Sequence, residues 1–533
     1  MIEELNTASK LLDSALDRYI DACSALQKQY FEEHTFTTFP PEFSSHLLEM
    51  TRLEIKLRRA KSAIYRTRNY SSTLVPIHSL PQELLTHIFL LVSRSQHNCS
   101  DYGLDLGNRP EVISHVCSWW RELVLNLPSF WSVIRLAVIG DSAQLSRAIT
   151  FAKRADPLSL DLQLHSQTSL AHFGSVADPS SFLATVSPRV RSLRLAIASA
   201  NNFMSYSSTL SACLAHCNLG MLKTIITSYV SFGKNTRYYV FFDRATSIPA
   251  YLSDEHAYLV GDSIPNQNLA FITNLRLSGW YPSWTSTAYH GLIELQLLST
   301  AAPNHVLISE HHLLGILGAS PALRILEFDL EIVVSHLADE AIVPVQLECL
   351  ESLKVGLVAG RKLGDLVRWL FPGSIPFQLS LSDTDDEDIP ALSLPLLDHD
   401  VTSFFSRSNI KEVHAAFFNS WSLDKISNLC PHLHTLALES FNFSNNSEQT
   451  SHPILPPNLE SLFLLDCLVV PQPTFINATH SPALKSLLLW NCSYFDDSGA
   501  RKTYPNGLDN ILVDNCPDAR VVDYNPIQGW SFF

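Results

Sequence analysis

The chain has 533 residues, 46% of them apolar and 17% charged, which excludes a disordered polypeptide because such chains lack the apolar surface needed to offset the entropy of ordering. A formal net charge of −15, from 37 basic and 52 acidic side chains, repels phosphate backbones and anionic lipid, so neither nucleic acid nor membrane is an expected partner. This length suffices for two or more cores or for one extended repeat array.

At the N-terminus, Leu5, Ala8, Leu12, Ala15, Tyr19, Ala22 and Leu26 alternate spacings of three and four, as in a helix that buries one stripe. Phe39-Pro40-Pro41 breaks the rhythm, and Met50, Leu53, Leu57, Ala60 and Ile64 resume it, which predicts a helical hairpin or short coiled coil over residues 1–70. The second helix is basic between Arg52 and Arg68, and a solvated helix face accounts for this better than nuclear import or phosphate binding. Met1 to Leu5 lacks the basic start and apolar core of a signal peptide, and no apolar run approaches the roughly 20 residues that span a bilayer. The ten cysteines form no CxxC pair and several fall at apolar positions, so a reducing compartment, cytoplasm or nucleus, is expected. Sequons such as Asn442-Phe443-Ser444 are then without consequence.

Residues 74–135 pair two short helical patterns. The first opens at Ser79-Leu80-Pro81-Gln82-Glu83, where a capping residue, a proline and an acid mark a helix start. The second places Val116, Trp120 and Leu123 on one stripe and is ended by Leu127-Pro128-Ser129-Phe130-Trp131. Leu80, Leu84, Ile88, Trp120 and Trp131 are more large apolar groups than two short helices can hide unaided, so some must face a partner or the rest of the chain.

Leu80-Pro81-x-Glu83-Leu84-x-x-x-Ile88-Phe89, followed by Val116-Cys117-x-x-Trp120-Arg121 and Pro128-x-x-Trp131, resembles the F-box in the form common in mushroom-forming fungi. The polar connection from Ser93 to Arg109 is longer than in compact F-boxes. The resemblance covers about a tenth of the chain by motif. It implies docking on a Skp-type adaptor, and through it a cullin, by Leu80, Pro81, Leu84, Ile88, Val116, Cys117, Trp120 and Trp131.

Beyond residue 136 one phrase recurs: an apolar residue, two variable residues, then apolar-x-apolar. It stands at Val190-Arg-Ser-Leu193-Arg-Leu195, Ile272-Thr-Asn-Leu275-Arg-Leu277, Leu433-His-Thr-Leu436-Ala-Leu438, Leu459-Glu-Ser-Leu462-Phe-Leu464 and Leu484-Lys-Ser-Leu487-Leu-Leu489, among others. The phrases look like leucine-rich repeats, the last two running on to Cys467 and Cys492, where that pattern wants a side chain that satisfies backbone groups at the strand exit. Leu436, Leu462 and Leu487 are 26 and 25 residues apart, close to one strand-plus-helix coil, whereas Leu222-Lys-Thr-Ile225 is far from its counterpart at Leu275. Ser320-Pro321, Cys430-Pro431 and Cys516-Pro517 sit where a helix must stop before the next strand. The expected fold is therefore α/β: N-terminal helices and a helical F-box over 74–135, then an irregular solenoid over 136–533 with parallel strands inside the curve and helices outside.

No P-loop, GxSxG, HExxH or paired CxxC is present, so no cofactor and no catalysis are expected. Cys430, His432 and His434 could ligate a metal in isolation, but Cys430 belongs to a helix-ending phrase and a structural role accounts for it better. The acidic run from Asp383 to Asp388 lacks the glycine and terminal glutamate of an EF-hand and reads as a solvated loop, with contact to a basic target as a lesser alternative. The resemblances together imply the substrate receptor of a cullin-RING ubiquitin ligase, whose repeats bind a target protein that the sequence does not identify. A repeat scaffold that recruits no ligase and a hydrolase with an unrecognised site remain the alternatives.

Overall fold

The computed structural model describes residues 2–33, 42–69, 76–94, 109–138, 140–165, 178–197, 203–229, 239–241, 257–259, 266–299, 306–333, 343–357, 362–383, 399–416, 428–441, 456–469, 483–495, 501–503, 516 and 518–527. The sequon at Asn442, the run Asp385 to Asp388 and most of the connection after Ser93 lie outside them. The chain divides into two compact units, Met1–Phe89 with Ile113–Leu123, and Leu90–Val112 with Val124–Phe533.

The first unit is helical. Its long helices α1 (Ile2–Glu33) and α2 (Glu42–Asn69) carry the two heptad-like patterns. The expected burial of their apolar stripe is not seen: Leu12 stays 45% exposed and Ile64 53%. Periodicity fixes which face of a helix is apolar, but not what covers it. A 3₁₀ turn, Pro76–Ser79, leads into α3 (Gln82–Arg94), and α4 (Arg109–Val116) and α5 (Ser118–Asn126) follow. Ser79 does not cap α3. Its hydroxyl donates to the Pro76 carbonyl at 2.6 Å, while the Pro81 carbonyl accepts from Leu85 N, the first helical bond.

The second unit is built on one open sheet of 14 strands whose spatial order is their chain order, every neighbouring pair parallel. These strands are β1 (Val133–Ala137), β2 (Leu160–His165), β3 (Val190–Ile197), β4 (Thr224–Tyr229), β5 (Asn274–Ser278), β6 (Glu294–Leu298) and β7 (Ile325–Phe328). They continue as β8 (Ser352–Leu357), β9 (Phe377–Asp383), β10 (Ile410–Ala416), β11 (Thr435–Glu439), β12 (Ser461–Leu465), β13 (Ser486–Trp490) and β14 (Asp518–Val522). Helices α6 (Ser142–Arg154), α7 (Ser180–Val186) and α8 (Phe203–His216) precede β2, β3 and β4 in turn. Likewise α9 (Asn266–Leu269), α10 (Glu310–Gly318), α11 (Lys362–Val367) and α12 (His399–Arg407) precede β5, β7, β9 and β10. Such crossovers are what a parallel ladder requires.

The recurring phrase is the sheet's core. Its paired apolar positions are buried, as at Leu275 and Leu277, Leu436 and Leu438, and Leu462 and Leu464, because alternate strand residues share one face. In-register pairing joins Leu436, Leu462 and Leu487 across β11, β12 and β13, and Ile225 does pair with Leu275 despite the long interval between them. Strand exits share a left-handed residue, Gly279, Ser440, Asp466 and Asn491, with φ of 73°, 54°, 53° and 53°. The side chains of Asp466 and Asn491 hydrogen-bond each other, and αL is tolerated best by such short polar residues. Immediately after, the Cys467 thiol donates to the carbonyls of Leu438 (3.2 Å) and Leu465 (3.3 Å), and the Cys492 thiol to that of Leu464 (3.3 Å). Burial holds the Cys467 thiol well above its ordinary pKa, so it stays a neutral donor.

Candidate functional site

Each unit carries one candidate surface. In the first, His78 ties the helical module together. It accepts a hydrogen bond from Trp120 Nε1 at 3.1 Å and stacks edge-on against Trp119 at 4.5 Å, while Phe89 packs on Trp120 at 4.5 Å. Leu85, Phe89 and Leu123 are buried. Successive helical residues point about 100° apart, so with Leu85 and Phe89 inward their neighbours Leu84 and Ile88 point outward, 53% and 38% exposed. Val116 is 58% exposed, Pro81 is exposed, and Leu80, Cys117 and Trp120 are half-buried.

Two expectations fail here. Val116 and Trp120 do not share a helical stripe, because the helix breaks at Cys117, whose sulfur accepts from Trp120 N at 3.4 Å at the start of α5. Trp131, expected at the partner-facing surface, is in the second unit and wholly buried. Its Nε1 donates to the Val124 carbonyl at 2.9 Å, Phe151 packs on it edge-on at 4.8 Å, and the Arg154 guanidinium lies 4.4 Å from its ring centre. It packs immediately before β1, and no partner reaches it.

The second candidate is the sheet face opposite the leucine rows, exposed at Arg276 but buried at Gln296, Glu327, Ser380, His414, Ala437 and Leu488. Register aligns its central residues from strand to strand, beginning Arg135, Gln163, Arg194, Ile226 and Arg276 on β1 to β5. Gln296, Glu327 and Lys354 follow on β6 to β8, then Ser380 and His414 on β9 and β10, and Ala437, Phe463 and Leu488 on β11 to β13. The row therefore changes from cationic through self-neutralised to apolar, and ends in the exposed Arg520 on β14. Lys354 pairs with Glu327 at 3.0 Å, and Asn274 and Gln296 both donate to Glu294, at 2.7 and 2.6 Å. Of the three arginines on β1 to β5 only Arg276 is exposed; Arg135 donates to Gln163 at 3.2 Å. At the apolar end Ile527 closes over Ala437 and Leu465, with Phe463 and Trp490 packed beside them.

One polar cluster in this row has the connectivity of a Ser–His–acid relay. Ser380 Oγ and His414 Nδ1 are 2.9 Å apart, and His414 Nε2 and Glu439 Oε2 are 2.8 Å apart. A neutral ring protonated at Nε2 satisfies both contacts, accepting from the serine and donating to the carboxylate. Ser380 is wholly buried and His414 is 2% exposed, so no carbonyl can approach the hydroxyl. The geometry is that of a satisfied buried network. Replacing His414 by leucine strands the Ser380 hydroxyl and is expected to cost about 1–3 kcal/mol. Urea unfolding of H414L measures it, and an unchanged midpoint would remove the structural role.

Cys430 is buried, which raises its thiol pKa to about 12, while His432 is exposed and its carbonyl meets His434 Nδ1 at 2.8 Å. Among the described residues no group of three or more His, Cys, Asp or Glu side chains could hold a metal ion, and no helix is long and apolar enough to cross a membrane. The aligned row itself was not legible residue by residue. The signal was the x between the leucines, but one sequence does not say which strands are neighbours. No family model matches the sequence, and no curated protein matches it.

Proposed function

We propose that the chain is the substrate receptor of a cullin-RING ubiquitin ligase: the helical module is an F-box that docks on a Skp-type adaptor, and the repeats bind the target. The carrying observation is that α3 turns Leu84 and Ile88 to solvent while Leu85 and Phe89 are buried, so the exposed positions are those the F-box motif assigns to the adaptor. Leu80, Pro81, Val116, Cys117 and Trp120 complete the docking set, and Trp131 leaves it. The sheet is read more finely as a leucine-rich-repeat solenoid, strands inside its curve and helices outside. The strand spacing of 26 and 25 residues and the thiols of Cys467 and Cys492 at the strand exits support that reading.

The receptor performs no chemistry of its own. Holding ligase and target on one chain turns their encounter into an intramolecular one at raised effective concentration. Cysteines that are free throughout the described residues fit the reducing cytoplasm or nucleus, where such ligases work.

Replacing Leu84 and Ile88 together by aspartate places two charges in an apolar contact. Loss of a hot spot costs about 2 kcal/mol or more, so capture of the adaptor is expected to fall at least about tenfold. The test is a pull-down of full-length protein with a Skp-type adaptor, with hydrogen exchange over α3 and α5 as the folding control. Undiminished capture by the folded double variant would favour a scaffold that recruits no ligase.

A further inference from the structure

The N-terminal helices hold an apolar seam that stays exposed among the described residues. In α1, Leu5, Leu12, Tyr19 and Leu26 recur every seven residues with Ala8, Ala15 and Ala22 between them; in α2, Met50, Leu57 and Ile64 do so with Leu53 and Ala60. A strict seven-residue repeat is the pattern of helices that supercoil around one another. Yet Leu5, Leu26, Met50 and Leu53 remain 51%, 39%, 42% and 44% exposed.

Charge selects the pairing. Helix α1 has seven acidic and three basic side chains, net −4, and α2 has three acidic and seven basic, net +4. Like pairs repel and α1 attracts α2. Width selects the number of helices. Leu11, Leu16 and Cys23 flank the α1 seam, with Leu11 69% exposed, and widen it beyond the narrow stripe that suits two strands. One α2 covers one side of such a face, whereas a four-helix bundle with two acidic and two basic helices covers both.

We propose that a second copy of this chain supplies the other two helices, so that the protein is a homodimer joined through residues 2–69. The inference is independent of the ligase reading. It requires only that the copies meet, and a dimer would carry two docking modules and two sheet faces.

The test is the mass of the full-length chain at tens of micromolar by sedimentation or light scattering. Wild type is expected at twice 59.6 kDa, and Leu12→Glu with Leu26→Glu at 59.6 kDa. A milder pair, Leu11→Gln with Leu16→Gln, keeps good helix formers and removes only flanking apolar area, so the dimer dissociation constant should rise about tenfold or more. Self-association should also weaken at about 1 M salt, where charges are screened beyond about 3 Å. A wild-type chain of 59.6 kDa overturns the proposal and leaves the seam to a foreign helix; a dimer that both pairs of substitutions leave intact overturns it too.

Discussion

Trp131→Ala is expected to destabilise the sheet unit by about 3–5 kcal/mol, the usual cost of emptying a buried aromatic site. The indole is wholly buried, donates to Val124, and is packed by Phe151 and Arg154 of α6. Removing it leaves a cavity beside the first strand and takes from the Val124 carbonyl the shorter of its two hydrogen bonds, Leu127 N remaining at 3.5 Å, so transfer and packing losses dominate. Urea unfolding with hydrogen exchange at β1 and β2 measures the effect. The opposite outcome, native stability with reduced adaptor capture, would return Trp131 to the docking surface and contradict its burial.

Leu462→Asp is expected to cost several kcal/mol, because it places a carboxylate in an apolar row without a hydrogen-bond partner. Leu462 is 2% exposed and pairs in register with Leu436 on one side and Leu487 on the other. The damage should spread through β11, β12 and β13 before it reaches β1, since each strand bonds only to its neighbours. A fall in melting temperature, with exchange protection lost first over 435–490, is the expected record. An unchanged melting temperature would mean that the introduced carboxylate finds solvent and that the leucine row is misplaced.

The parts legible in the sequence are those set by short-range rules. The strands showed in the apolar-x-apolar phrase, because alternation decides which residues are buried wherever the strand lies. The exit thiols showed in the step from Leu464 to Cys467 and from Leu489 to Cys492. The helix start at Pro81 was legible too, although Ser79 turned back on Pro76 rather than capping it. Long-range facts were not. Trp131 and Trp120 look alike as large apolar groups in a docking motif, and only the arrival of Phe151 and Arg154 distinguishes the buried one. Nothing local announces that Ser380, His414 and Glu439, spread over 60 residues of chain, meet on adjacent strands. Ile527 against Ala437 and Leu465 is the same kind of fact.

Strand order that equals chain order has a consequence for how this sheet is made and altered. Every pairing joins consecutive segments, so closing it costs the entropy of one connection, even where 44 residues separate β4 from β5. Assembly can begin at any adjacent pair and grow outward in both directions, with no strand required to thread between two that have already met. The same layout means that tandem duplication of one strand and its connection lengthens the sheet without breaking any existing register. A sheet of this kind can thus gain or lose a row of side chains in a single genetic event, while the pairings on either side of the change are kept.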